Sequence, residues 1–275
     1  CTDRLLLYHH NTMIGFLRYC QGRDENKRKC FFNIFIDPKY NKKGYRQLLY
    51  NRMLDEVKNI KPNAYYMQIY DHPNYICSKN FLIKNGFIQK FSIREYSLDL
   101  QNTNLVKYNT LFKKMDDMGI KFFDSKNELS SRIDHYKKLE ELCWTYSKDF
   151  PMPEGIVATR EPFEQFMKEQ KLFEEKQYGI EVIAMHGNKY IGSTDLEILP
   201  KSDPYKAWTG GLGVLREYRR KGIATALKIK ALQKLKEKGI KIVRTDNEEN
   251  NPMYLINVAV GFKPEPFSFE YIKEI

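Results

Sequence analysis

A short turn rich in basic residues connects an apolar strand to a long helix in the last third of the chain. The strand holds Leu212, Gly213 and Val214, and the turn reads Arg219-Arg220-Lys221-Gly222-Ile223-Ala224. The first N–H groups of a helix have no acceptor inside it, and the helix dipole adds about half a positive charge there. Because Gly222 and Ala224 carry little side chain, a phosphate could reach these amides. The turn is therefore a candidate anion-binding site.

The helix that follows the turn is amphipathic by spacing. The positions predicted to form its buried face are Ile223, Leu227, Ala231 and Leu235. The positions predicted to be solvated include Lys228, Lys230, Lys234 and Lys236. Such a pattern favours a helix packed on a sheet. The sequence has no GxxxxGK[ST] loop and no GxGxxG after a strand, which argues against a nucleoside triphosphatase and a Rossmann dinucleotide site.

The turn has the form [QR]-x-x-G-x-[GA] at Arg219, Gly222 and Ala224, and it resembles the acetyl-CoA pyrophosphate loop of the GNAT superfamily of N-acetyltransferases. Downstream come a strand at 240–244, Asn250, and a Gly-Phe pair at 261–262. This order is similar to the second half of a GNAT domain, of the type found as the C-terminal lobe of tandem-GNAT proteins. The resemblance covers about Gly119 to the end.

The resemblance implies where the donor, acetyl-CoA, would bind. We expect it in a V-shaped gap between the strand that ends at Val214 and the strand that begins at Ile240. Main-chain groups of Leu212, Gly213 and Val214 would line the gap, and one N–H would polarise the thioester carbonyl. The pyrophosphate contacts are assigned to Arg219, Arg220, Lys221, Gly222, Ile223, Ala224 and Thr225. Asn250 is either a further donor contact or a helix cap.

Acid and base residues are less determined. Many GNAT enzymes have a tyrosine four residues before the Gly-Phe pair, which protonates the departing thiolate, and here that position is Asn257. Tyr254, one turn earlier, is the substitute candidate. The open candidates for the general base are Asp195, Glu197, Glu181 and Asp246, each of which also fits a solvated strand position. Asp149 and Glu154 either attract a cationic acceptor or hold a turn.

The same unit occurs twice. Residues 32–86 repeat the order of 212–261, with the turn Asn41-Lys42-Lys43-Gly44-Tyr45-Arg46 and a helix face of Leu49, Met53 and Val57. Asn41 replaces the Arg or Gln of the family pattern, and Arg46 replaces the small residue. We therefore expect one donor site, in the C-terminal lobe, and a degenerate N-terminal lobe that shapes the acceptor groove.

The predicted fold is α+β or α/β, with two tandem GNAT-like lobes, each a mixed, mostly antiparallel twisted sheet flanked by helices. The N-terminal lobe is assigned to residues 1–100, a connecting segment to 101–118 and the acetyltransferase lobe to 119–275. In the second lobe, a helix is predicted over residues 127–147, and its core stripe is predicted to hold Leu129, Ile133, Tyr136, Leu139 or Glu140, and Cys143.

Composition limits the remaining classes. The net charge is +11, but lysines are interleaved with acidic residues, so we read a solvated surface and expect no nucleic-acid partner. Five scattered cysteines without a CxxC pair predict neither a disulfide framework nor a metal site, and favour a reducing cytoplasm. No apolar run approaches the roughly 20 residues that cross a bilayer.

The predicted function is acetyl-CoA-dependent N-acetyltransfer to a primary amine of a small molecule or peptide. The amine attacks directly in a ternary complex, because no cysteine has an identifiable activating base. The alternative is a non-catalytic CoA-binding or scaffold protein that keeps the GNAT lobes.

Overall fold

The computed structural model describes residues 2–70, 76–175, 179–198, 203–248, 251 and 253–275. The chain forms two compact units. The first consists of Cys1–Arg94, Met152–Thr159 and Pro266–Ile275, and the second of Glu95–Pro151 and Arg160–Glu265. The first unit therefore takes residues from three separate parts of the chain, unlike the continuous lobes assigned from sequence.

The first unit is a sheet with two helices. Its strands are β1 (Thr2–His9), β2 (Thr12–Gln21), β3 (Lys29–Ile36), β4 (Ala64–Tyr70) and the start of β5 (Ile88–Asp99), and its helices are α1 (Tyr45–Glu56) and α2 (Ile76–Lys84). The strand order β1-β2-β3-β4 is completed by the end of the last strand, whose Ser268–Glu274 portion pairs antiparallel with β4. Strands β3 and β4 are parallel. The predicted helix face Leu49, Met53 and Val57 is buried.

The second unit contains a longer sheet in the order β5-β10-β9-β8-β7-β6. Its strands are β6 (Ile120–Asp124), β7 (Gly179–His186), β8 (Lys189–Ile198), β9 (Lys206–Val214), β10 (Ile242–Glu248) and the start of β11 (Lys263–Glu274). Its helices are α3 (Asn109–Asp117), α4 (His135–Ser147), α5 (Phe163–Glu175), α6 (Ile223–Glu237) and α7 (Tyr254–Val260). Among the strand pairs of this unit whose register is described, β9 and β10 are parallel, and β6–β7, β7–β8 and β8–β9 are antiparallel. The mixed, mostly antiparallel sheet flanked by helices is as predicted.

Two hydrophobic clusters cover the two faces of this sheet. One lies under α6 and includes Val182, Ala184, Ile191, Leu227 and Val243. The other lies under α4 and includes Leu139, Leu142, Tyr146, Ile183 and Met185. Alternate residues of β7 therefore point to opposite clusters, as the strand period requires. Among the described residues, no helix is both long and apolar enough to cross a membrane.

Helix α6 confirms the predicted buried face and corrects one of its solvated positions. Ile223, Leu227, Ala231 and Leu235 are at most 1% exposed. Lys228, however, is only 4% exposed, so its assignment to the solvated face was wrong. The helix is covered on more than one side, because Ala226 and Ile229 are also fully buried. A single apolar stripe does not show how much of a helix is covered.

Helix α4 is shorter than predicted. It begins at His135. Residues 125–129 form a separate π-helical turn, at the start of which the Asp124 carboxylate accepts a hydrogen bond from the Asn127 N–H. Ile133 precedes the helix and is fully exposed, so its predicted place in the core stripe was wrong. Leu129 and Leu139 are buried as predicted. Because the helix is interrupted before His135, the apolar residues before and after that point do not share one helical face.

Candidate active site

Strands β9 and β10 separate after three paired residues. Lys206–Trp208 pair with Ile242–Arg244, and the next rung is a side-chain bond from the Thr209 hydroxyl to the Thr245 hydroxyl at 2.5 Å. Both strands are described over their whole length, and their register pairing ends at Arg244. The remaining part of β9, from Gly210 to Val214, therefore borders an opening in the sheet.

A bulge interrupts β9 at the start of this opening. Thr194 faces Leu212 and Leu196 faces Thr209, so Gly210 and Gly211 together oppose one residue of β8, Asp195. The Asp195 carboxylate accepts the Gly211 N–H at 2.8 Å. A Cβ on Gly210 would lie 1.7 Å from a carboxylate oxygen of Asp195, so only glycine leaves room for that carboxyl.

Tyr146 of α4 packs on the same glycine-rich segment. A Cβ on Gly213 would lie 2.1 Å from the Tyr146 ring, so the aromatic ring lies directly against the backbone. The Tyr146 hydroxyl is 3.0 Å from the Ser193 hydroxyl and donates to the Cys143 sulfur at 3.3 Å. Tyr146 is not among the residues that the sequence motifs predicted for the site. The signal for it was Gly210-Gly211-Leu212-Gly213, because repeated glycine within a strand marks a close approach by another group.

The basic turn forms a left-handed loop before α6. Residues Arg216–Tyr218 make one 3-10 turn, then Arg220 and Gly222 have φ of 60° and 93° with Lys221 between them. Ala226 is the first α6 residue whose N–H is bonded back, to Gly222 O at 3.0 Å. Among the described residues, no backbone acceptor bonds the N–H groups of 220–225. A run of free amides in this conformation forms a concave anion-binding nest.

Arg219 fixes the loop to the end of β9. Its Nε donates to Val214 O at 2.9 Å, and its terminal nitrogen lies 2.5 Å from the Asp149 carboxylate. Arg216 bonds the same carboxylate through two nitrogens. Hydrogen bonds from these two guanidinium groups hold the pKa of Asp149 well below its usual range. Asp149 therefore orders the loop.

Arg220 and Lys221 are the two other cations of the loop. Arg220 is exposed, and no bonded partner is found for it within the described part of the chain. Lys221 donates to Glu217 O at 3.0 Å and lies 5.1 Å from the centre of the Tyr218 ring. Both cations remain at the surface beside the free amides.

Helix α7 contains Asn257, at the position where many GNAT enzymes have a tyrosine, and the substitute candidate Tyr254. Asn257 is 1% exposed, accepts a hydrogen bond from the buried Lys228 ammonium, and donates to Asn247 at 2.5 Å. Burial lowers the pKa of Lys228 to about 7. Tyr254 is 37% exposed. Asn250 lies outside the described residues.

Of the four candidate bases, two are brought together. Glu181 of β7 and Asp195 of β8 are cross-strand partners, whereas Glu197 and Asp246 are exposed. Burial raises the pKa of Glu181 to about 8, with the Asp195 charge as the next cause. Burial also raises the pKa of Asp195 to about 6, partly offset by the bond from the Gly211 amide. No group of three metal-ligating side chains is found among the described residues.

Comparison with known proteins identifies the sequence around this site. Residues 139–255 match the model of the acetyltransferase (GNAT) family. The match covers less than half of the chain. The matched segment contains most of α4, the Asp195 bulge, the nest and β10, so the geometry described above lies within the part of the chain that is similar to the GNAT family. A search of curated protein sequences finds no match.

Solved structures extend the likeness to the whole chain. A tandem GNAT protein from the clavulanic acid biosynthesis pathway covers 100% of this chain and 83% of its own, with a TM-score of 0.75 and 16% identity. A GCN5-related N-acetyltransferase from Sphaerobacter thermophilus covers 96% and 78%, with a TM-score of 0.65 and 14% identity. The glucosamine N-acetyltransferase region of a fungal multi-domain β-N-acetylglucosaminidase covers 98% of this chain and 33% of its own, with a TM-score of 0.73 and 14% identity. The chain therefore has the tandem-GNAT fold.

Proposed function

We propose that the chain transfers an acetyl group from acetyl-CoA to a primary amine, with the donor held by the C-terminal GNAT domain. The observation that carries this proposal is the nest at the start of α6, next to the opening between β9 and β10. The nest offers free amides to a diphosphate, and Arg220 and Lys221 add positive charge at its rim. When bound there, acetyl-CoA would supply the thioester.

Different segments of the chain would contact different parts of acetyl-CoA. Residues 220–225 would bind the diphosphate through their N–H groups, and Arg219 would keep the loop against β9 through Val214 O. Leu212, Gly213 and Val214, at the splayed end of β9, would present main-chain groups to the pantetheine arm and one donor to the thioester oxygen. Tyr254 remains the proposed proton donor to the leaving thiolate, and Asn257 a group that orients it.

The state of Cys143 favours direct attack by the amine over a covalent acetyl-cysteine intermediate. Burial raises the pKa of the Cys143 thiol to about 12, and no described group lowers it enough to form a thiolate near neutral pH. A thiol in that state is a poor nucleophile. An alkyl ammonium acceptor, with a reference pKa near 10.4, must instead lose a proton before it attacks. The chemistry therefore needs a base in the site.

The test separates binding from turnover. Calorimetric titration with acetyl-CoA is expected to give one site per chain, and thiol release with a panel of primary amines is expected to exceed hydrolysis in their absence. Binding without release for every amine would favour the scaffold alternative. Absence of any CoA binding would overturn the proposal.

A further inference from the structure

We infer that Asp195 and Glu181 form a proton-accepting carboxyl pair for the acceptor amine, and that Ser125, His135 and Tyr190 carry the proton from this pair to the protein surface. The inference deepens the proposed function and rests on it. It assigns a base and an exit for the proton, on the α4 side of the sheet in the second unit.

Asp195 is the member of the pair that can reach a substrate. Its carboxyl lies on the Gly210-Gly211 bulge, where β9 leaves β10, and it is only partly buried. The bond from the Gly211 N–H fixes one oxygen. The glycine bulge thus holds a carboxylate at the edge of the opening in the sheet.

Glu181 lies directly behind Asp195. The two are paired residues of β7 and β8, and side chains of such pairs lie about 4.5–5.5 Å apart at Cβ. Gln170 of α5 donates to one Glu181 oxygen at 2.5 Å. The nearby Ser125 hydroxyl acts on the Glu181 carboxyl as a donor that lowers its pKa. Glu181 is 9% exposed, so it is largely shielded from water.

The chain continues from Ser125 through two buried side chains. The Ser125 hydroxyl is 3.1 Å from His135 Nε2, and His135 Nδ1 is 2.9 Å from the Tyr190 hydroxyl. Ser125 and His135 are 1% and 0% exposed, and Tyr190 is 5% exposed. The charges of Arg132 and Asp134, just before α4, act on Tyr190; Arg132 is exposed and Asp134 is half-buried. The series therefore leads from Glu181 toward the residues that precede α4.

The electrostatic surroundings favour a shared proton. The ionisable groups that act on the pair are Glu197 of β8, Glu174 of α5, Asp124 of β6, and Cys143 and Tyr146 of α4. Acidic neighbours and burial both raise the pKa values of the pair, and no cation is among the causes for either carboxyl. Two carboxyls in this setting titrate as a coupled pair that holds one proton near neutral pH.

The proton balance is complete. An ammonium acceptor gives one proton to Asp195, the amine nitrogen bonds to the acetyl carbon, and the carbon–sulfur bond breaks. Tyr254 gives a proton to the thiolate, and the second proton lost by the nitrogen replaces it on Tyr254. The first proton moves from Asp195 to Glu181 and must leave. Glu181 passes it to the Ser125 oxygen, Ser125 to His135 Nε2, His135 from Nδ1 to the Tyr190 oxygen, and Tyr190 to water. Burial lowers the pKa of His135 to about 4, so its neutral ring has one lone pair to accept and one N–H to release.

Asp195→Asn tests the base. The amide keeps an acceptor for the Gly211 N–H but cannot take a proton, so we expect kcat/KM to fall about 100-fold or more while the CoA Kd changes less than twofold. Glu175→Gln, on the exposed end of α5, is the matched control and is expected to match the wild type. Thiol release gives the rate, calorimetry gives Kd, and circular dichroism checks folding.

Glu181→Gln and His135→Asn test the exit path. Each is expected to lower kcat about tenfold and to increase its solvent deuterium isotope effect, because proton loss then limits turnover. A purely structural defect would lower the rate without raising that isotope effect. In the wild type, kcat/KM should rise with pH through about 6, where the pair loses its first proton.

A titration of the CoA-free protein tests the pair without turnover. Carbon NMR of the two carboxyls should show coupled titration well above pH 4.5, and Glu181→Gln should remove the upper step. Ordinary, independent titration near pH 4 would overturn the inference whether or not an acceptor is found. Full activity of Asp195→Asn would overturn it with the proposed function intact, whereas absent CoA binding by the wild type would overturn the proposed function and with it the assignment of the pair as its base.

Discussion

The two basic loops of the chain have the same backbone and different side chains. In the first loop, Lys42 and Gly44 have φ of 64° and 82°, and a 3-10 turn at Pro38–Tyr40 precedes them. In the second, Arg220 and Gly222 have φ of 60° and 93° after the turn Arg216–Tyr218. Each is followed by a helix whose fourth amide bonds back to the glycine carbonyl, at 3.1 and 3.0 Å. The loop shape is therefore a property of the strand–turn–helix unit in both lobes.

The difference lies in what fills the space over the amides. Ala224 leaves the second loop open, whereas Arg46 stands at the matching position of the first. Arg46 is half-buried, bonds Asn41 at 3.3 Å, and its buried Nε has no partner within the described residues. Burial lowers the pKa of its guanidinium. A conserved loop geometry thus need not preserve an anion site.

The helices behind the loops differ in the same way. Lys228 lies six residues after Gly222, and Tyr50 lies six residues after Gly44; both are buried. Lys228 has Asn257 as partner, but the Tyr50 hydroxyl has none among the described residues. The second lobe therefore keeps a buried cation with a matched acceptor where the first has an aromatic ring.

The strongest test copies the first loop into the second. Ala224→Arg is expected to weaken CoA binding about 100-fold, or about 2.7 kcal/mol, because the long side chain would cover the free amides. Calorimetry measures the Kd, and the thermal unfolding midpoint should change little, since residue 224 is partly exposed. Unchanged affinity would show that the nest is not the donor site.

A charge reversal at matched rim positions gives a smaller effect. Arg220→Glu should weaken CoA binding about tenfold, or about 1.4 kcal/mol, more at low salt than at high salt, because an exposed charge is screened. Lys42→Glu, the same change in the first loop, should leave the Kd within twofold. An equal loss of CoA affinity in the two variants would show that the donor is not bound specifically by the second loop.

Lys228→Met examines the buried cation through its pH dependence. The pKa of Lys228 is lowered to about 7 when folded, so between that pH and its unfolded value near 10.4 the unfolded chain binds more protons. The free energy of unfolding of the wild type should therefore rise with pH across this window. Lys228→Met should lack that rise, so its stability relative to the wild type should decrease from pH 7 to pH 10. Tyr50→Phe, the matched control, should track the wild type from pH 7 to pH 9.

The smallest expected effect comes from opening the first loop. Arg46→Ala removes a half-buried cation with an unpaired Nε, and we expect the free energy of unfolding to change by less than about 1 kcal/mol. The CoA stoichiometry should stay at one per chain, because Asn41 still replaces the arginine that fixes the second loop. A second binding site in calorimetry would show that Arg46 alone blocks the first loop.

Features of the structure that depend on a local residue pattern could be predicted from the sequence. The period of α6 identified its buried face, and the order of strand, basic turn and helix identified the nest. The wrong assignment of Lys228 has a different cause, because burial on a second side of α6 depends on α7, about 25 residues further along the chain. Ile133 was misplaced because an apolar spacing cannot reveal where a helix begins without a capping signal.

The candidate base depended on information that no single segment contains. Asp195 and Glu181 were two of four open choices, and only the register of β7 and β8 brings them together. The contacts of His135 with Ser125 and Tyr190 span 10 and 55 residues. Side chains that meet across strands and helices leave no periodic signal. The glycines at 210 and 211 were the one local trace of the Asp195 carboxyl.

The final strand has a consequence for how the chain is made. Ser268–Glu274 supply the partner of β4, which is about 200 residues earlier in the sequence. During synthesis on a ribosome, β4 therefore remains without this partner until residues 268–274 emerge. An unpaired strand edge is a site where nascent chains associate wrongly. The second unit, whose segments are contiguous except for residues 152–159, ends at Glu265 and contains none of residues 266–275.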